Sequence, residues 1–213
     1  MTEQDTPQTP PEEVPVVAPA LPYTIHANLH EFRHRAKAPF VIAAIFAVIF
    51  GARFGVVGLI SLLVGIALII GVVLWILSHR SVTITNEGLE YKIPLFKVRK
   101  VAFSDVEGVK VFMNYVDGLY GGLPRISIAV KGVKKPVTLY ALYWSLEDLE
   151  KVLAILKDKK LATEYYPDPA NAAMIAKQFP AYASLIERHP WWIAWATIIG
   201  IVIIVTVVVI ALQ

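Results

Sequence analysis

Residues 38–78, APFVIAAIFAVIFGARFGVVGLISLLVGIALIIGVVLWILS, carry a single formal charge, Arg53. At ~1.5 Å per residue a helix of this length overshoots a ~30 Å hydrocarbon layer, so the run is predicted to fold back on itself. Gly51, Arg53 and Gly55 mark the bend, giving one span from Ala38 to Phe54 and a second from Val56 to Leu77. Peptide groups in lipid must pair internally, which leaves a helix or a closed barrel, and the alternation by twos of a barrel is absent. The expectation is a transmembrane helical hairpin. Ala43, Ala47, Gly51 and Gly55 recur at every fourth position, and Ser61, Gly65 and Gly71 supply small residues in the second span. Such faces let helix backbones approach closely.

Composition points the same way. Of 213 residues, 56% are hydrophobic and 17% charged, and mean hydropathy is +0.59. The basic residues Arg33, Arg35, Lys37 and Arg80 flank the hairpin, so the positive-inside rule puts both its ends in the cytoplasm. Trp75 suits the headgroup level at one end. Residues 191–212, WWIAWATIIGIVIIVTVVVIAL, are uncharged and predict a third crossing, anchored by Trp191, Trp192 and Trp195 and finishing outside the cell. The localisation implied is a multi-pass protein of the cell's inner membrane, with the N-terminus and the β-rich part cytoplasmic. Neither span holds Asp, Glu, Lys or His, which argues against a proton relay or ion-coupled transport.

The remaining segments differ in character. Residues 1–22 contain six prolines and four acidic residues without Lys or Arg, the composition of a Pro-rich disordered tail. Residues 23–37 are predicted as an amphipathic interfacial helix. His26, His30 and His34 fall there at i, i+4 and i+8, a spacing that could offer ligands to a metal. No neighbouring carboxylate or cysteine completes a shell, since Glu31 projects elsewhere on a helix, so the interfacial reading is preferred and no cofactor is expected. The absence of cysteine removes disulfides, thiolate metal sites and cysteine nucleophiles.

From Ser81 the pattern becomes β-rich. VTIT and LEYKI flank a turn at Asn86, Glu87 and Gly88, KVRKVAF and VEGVKVFMN alternate, YVDGLYGGLP reads as a glycine-rich loop, and RISIAVKG and VKKPVTLYALY follow. WSLEDLEKVLAILKDKK then predicts an amphipathic helix capped by Ser145, with Leu146, Leu149, Val152, Leu153 and Leu156 on its apolar face. Residues 81–160 thus form a compact α+β module, and 161–190 read as a helical linker broken by Pro167, Pro169 and Pro180.

A hairpin followed by VTITNEGLEY, FSDVEGVKV and SLEDLEKVLAIL resembles the membrane-anchored bacterial proteins with a pleckstrin-homology (PH) domain, over residues 38–160. The resemblance implies a bent β-barrel closed at one end by the helix, held beneath the membrane, and a role other than catalysis. Lys97, Arg99 and Lys100 in one turn, and Lys131, Lys134 and Lys135 in another, are candidate contacts for lipid headgroups. Residues 81–160 carry thirteen Lys and Arg against nine Asp and Glu, and an anionic leaflet attracts such turns. The acidic Glu87 in the first hairpin turn argues against a phosphate pocket there. No paired carboxylates, no nucleophile with its base and no phosphate-cradling loop support an enzyme. The expected function is therefore a non-catalytic membrane-anchored scaffold or accessory subunit, partnered by membrane lipids and other integral membrane subunits. The alternative is a sensor of anionic lipid headgroups or membrane stress. The small net charge of +3, not gathered into one tract, gives no reason to expect nucleic acid.

Overall fold

The computed structural model describes residues 17–30, 32, 55–56, 59–60, 63–68, 70–117, 120–189, 200 and 206. Alternating apolar residues build a first antiparallel sheet, in order β1-β2-β3-β4, from β1 (Tyr23–His26), β2 (Ser81–Ile84), β3 (Gly88–Lys92) and β4 (Arg99–Ala102). Ile25, Val82, Ile84, Leu89 and Val101 are buried in it, as the period of two requires of strands with one covered face. A 3-10 turn at Phe103–Asp105 leads into the second sheet, ordered β7-β6-β5-β8. Its strands are β5 (Val106–Asp117), β6 (Tyr120–Val130), β7 (Val133–Tyr140) and β8 (Thr163–Asn171). β5 and β6 run through the segment read as a glycine-rich loop.

Helix α1 (Leu146–Asp158) starts where the Ser145 hydroxyl accepts the Asp148 N–H, and it buries Leu149, Val152, Ile155 and Leu156. Leu146, placed on the apolar face by the sequence, is 52% exposed. One continuous cluster of buried side chains draws on both sheets and α1.

The second sheet is covered on both faces. Val111 and Phe112 lie opposite Ile126 and Arg125 in the β5–β6 register, so Val111 and Ile126 point to one face, Phe112 and Arg125 to the other. That second face is covered by the segment after β8. It comprises α2 (Ala172–Gln178), a 3-10 turn at Pro180–Tyr182 and α3 (Leu185–Arg188). Phe112 stacks on Tyr166 at 5.3 Å between ring centroids and meets Phe179 at 6.0 Å. β8 is parallel to β5 and carries Pro167 and Pro169, which an edge strand tolerates because one side of its backbone needs no ladder partner.

This architecture corrects several expectations. Among the described residues no helix is long and apolar enough to cross a membrane, so the transmembrane fold, the multi-pass inner-membrane localisation and the spans that define them are not upheld. A crossing helix needs ~20 continuous helical residues, whereas hydropathy registers composition alone. Residues 63–68 and 70–78 are helical and Leu77 is buried, while Val64, Leu68, Val72 and Val73 are exposed. Most of the first span, and of residues 191–212, lies outside the described residues. The β-rich part forms two four-stranded sheets, not a closed barrel. Tyr23–His26, expected to be helical, pairs with β2 as a strand, and part of the expected helical linker is β8.

Candidate functional site

The β3–β4 hairpin opens at Ile93–Val98. Phe96 N–H donates to the Ile93 carbonyl at 3.2 Å, Pro94 occupies the second position of the turn, and Leu95 in the third has φ 67°. A turn with Pro at its second position and positive φ at its third is type II, where glycine is the usual third residue. A leucine in that conformation costs ~1–2 kcal/mol of backbone strain. Its side chain is nevertheless 78% exposed, with Phe96 67% and Val98 45% exposed. The hairpin therefore ends in an apolar tip.

Basic residues surround the tip. Lys92 and Lys97 are exposed beside it, and Lys100 pairs with Glu90 across the strands at 2.5 Å. Arg99 reaches to the second sheet, donating to the Lys135 carbonyl at 2.5 Å and the Pro136 carbonyl at 3.4 Å. Partial burial lowers its pKa below the usual guanidinium value, opposed by the neighbouring Tyr91. Arg99, at the start of β4, thereby ties it to Lys135 near the start of β7, 36 residues away; Lys134 and Lys135, expected in a turn, belong to that strand. Lys135 is exposed there; Lys131 donates to the Ser104 carbonyl at 3.0 Å, near Asp105; Lys134 lies in β7, its side chain outside the described residues.

A second group of charges lies beneath the C-terminal segment. Arg125 and Glu187, 2% and 8% exposed, form an ion pair. Arg125 also donates to Ser127 Oγ at 3.1 Å and the Tyr182 carbonyl at 3.2 Å, and lies 4.5 Å from the Tyr115 ring centroid. Tyr115 Oη donates to Glu187 at 2.7 Å, and the Ser184 N–H does so at 2.7 Å in a capping box. Burial would raise the Glu187 pKa, but Arg125, Tyr115 and Ser184 outweigh it and hold the carboxyl below its ordinary value.

Lys110 nearby pairs with Glu164 and donates to Tyr166 Oη at 2.8 Å. Its ammonium sits 4.7–5.0 Å from the ring centroids of Phe179, Tyr166 and Tyr182. Burial lowers the Lys110 pKa, yet Glu164 and Tyr166 reverse that and raise it; Lys110 and then Tyr166 lower that of Glu164. These charges are spent on one another and on the fold.

The expected helical stripe does not begin at His26, which lies in a strand; His34 lies outside the described residues. Among the described residues no group of three His, Cys, Asp or Glu is arranged to hold a metal. His26 and His30 line an open cleft of about 900 Å³ with Ser145 and Asp148. The Asp148 carboxylate there already accepts from Tyr23 Oη at 2.9 Å and Ser145 Oγ at 2.7 Å. Of the helix-packing residues, Gly65 is buried and Gly55 exposed; Ala43, Ala47, Gly51 and Ser61 lie outside the described residues, as do Trp191, Trp192 and Trp195. Trp75 is 46% exposed with its ring 5.3 Å from His79.

No protein-family model matches the chain, and no curated protein matches it. Sequence reasoning found the basic turns but missed the tip, although an apolar Pro-Leu-Phe between Lys92 and Lys97 is a usable signal. It missed the Arg125–Glu187 pair entirely.

Proposed function

We propose that the protein is a non-catalytic docking module that engages an anionic partner surface through the edge formed by residues 92–100 with Lys135 and Pro136. The observation that carries this reading is the Arg99 link, which ties the base of the solvent-facing tip to β7 at Lys135 and Pro136, so that the exposed Lys135 joins Lys92 and Lys97 near it. The scaffold role expected from the sequence is kept here without its membrane spans. The PH-domain resemblance remains part of the reading, with β2–β7 and α1 supplying the corresponding elements and β1 and β8 added outside them. Its implied role, binding rather than chemistry, agrees with a basic edge whose Arg99 is anchored by backbone carbonyls.

Binding of the purified full chain to poly-glutamate, compared with poly-lysine, tests the proposal. Association should be selective for the acidic polymer, weaken as salt rises, and fall about tenfold or more in Lys97→Glu/Lys100→Glu, since each reversal replaces attraction by repulsion. Equal binding of both polymers, or none, would remove the reading.

A further inference from the structure

We infer that the anionic partner is a lipid surface, into which the tip at Leu95 and Phe96 inserts while the surrounding basic side chains meet the headgroups; this rests on the docking reading above. The tip combines two properties that a lipid interface accepts together. Its apolar side chains are 78% and 67% exposed, Lys92 and Lys97 flank them on the same hairpin, and the exposed Lys135 of β7 lies against Arg99 at its base. An acidic protein face would satisfy the lysines but would also need a concave apolar pocket at the right spacing. The headgroup–acyl boundary takes an apolar side chain of any shape and is anionic just above it.

The turn supports the same assignment. A type II turn is most relaxed with glycine at its third position; leucine there is strained at φ 67° and places a large side chain at the outermost point of the loop. Arg99, tied to the Lys135 and Pro136 carbonyls, fixes the base of the hairpin against the second sheet, so the tip is presented by a braced element. This is peripheral contact by a loop and requires no helix to cross the bilayer.

The absence of cysteine allows a direct test. Phe96→Cys and, at the other end of the hairpin, Glu87→Cys are each labelled with an environment-sensitive fluorophore in the full chain. Each is mixed with vesicles of phosphatidylcholine alone or with added phosphatidylserine, some carrying quenchers in the acyl chains. Vesicle binding that requires phosphatidylserine, with a blue shift and acyl-chain quenching at position 96 and neither at 87, is the expected result. Leu95→Asn/Phe96→Ser, in which asparagine suits the left-handed turn, should lower binding about tenfold or more, because two buried apolar groups are lost.

Phosphatidylserine-dependent binding without a shift at 96, and unchanged in Leu95→Asn/Phe96→Ser, overturns insertion and leaves the docking reading standing. Binding to poly-glutamate but not to anionic vesicles likewise overturns the lipid assignment alone, pointing to an acidic protein. Binding to neither overturns both.

Discussion

Arg125 and Arg99 occupy opposite situations in one molecule. Arg125 is enclosed, its guanidinium shared among Glu187, Ser127 and the Tyr182 carbonyl, and its charge is cancelled where it stands. Arg99 donates to carbonyl oxygens, which orient it without cancelling its charge, and Lys97 and Lys135 beside it remain exposed. A buried charge must be paired or it destabilises the fold, so the inner pair is a fixture. Charge left at a surface contributes little to stability and stays free to act on a partner.

Removing the inner partner has the largest expected effect. Glu187→Ala should destabilise the protein by ~3–5 kcal/mol, because Arg125 is left buried and uncompensated. Urea unfolding measures this directly, and an Arg125→Met/Glu187→Leu double substitution should recover most of the loss. A small effect of Glu187→Ala would erase the contrast with the outer edge.

Acid probes the same pair without mutation. The folded-state pKa of Glu187 lies below its ordinary value of 4.5, so its contribution is fully present above that value and is lost as pH falls through the folded pKa. Stability followed by unfolding between neutral and acid pH should show a component that falls below about pH 4.5 and is absent in Glu187→Gln. Glu187 is not part of the outer edge, so anionic-polymer binding should not follow the same curve while the polymer remains ionised.

Within the β3–β4 hairpin, the end opposite the tip is structural. A Cβ on Gly88 would lie 2.0 Å from the Val101 carbonyl oxygen, so Gly88→Ala must push β3 from β4. A loss of ~1–3 kcal/mol is expected, read by thermal or denaturant unfolding. Substitution of the exposed lysines should do least to the fold. Lys97→Glu/Lys100→Glu should cost no more than ~1 kcal/mol, because the reversal at Lys100 replaces an exposed cross-strand pair with Glu90 by repulsion, while abolishing salt-sensitive binding.

Much of the β-rich part is legible from residues alone. Val82 and Ile84 alternate with polar neighbours because one face of β2 is covered, and Ser145 followed by Asp148 marks the start of α1 at the position where the cap hydrogen bond forms. β8 is not legible, because TEYYPDPAN contains two prolines and no alternation, and its strand state depends on β5 lying alongside. Arg125 and Glu187 are 62 residues apart, and nothing local in either segment signals their meeting. The clusters at 97–100 and 131–135 are visible in the sequence, but the tertiary contact that joins β4 to β7 through Arg99 is not. For the apolar run, hydropathy records which residues are present, whereas among the described residues no helix is long and apolar enough to cross a membrane.

The most direct measurement takes wild type and Lys97→Glu/Lys100→Glu through two assays on the same preparations, sedimentation with phosphatidylserine-containing vesicles and urea unfolding. Vesicle binding lost in the variant, with its unfolding free energy within ~1 kcal/mol of wild type after the exposed Lys100–Glu90 pair is reversed, is the predicted result. Binding that survives the charge reversal, or a variant that unfolds much earlier than wild type, would contradict the division between inner charges that hold the fold and outer charges that meet a partner.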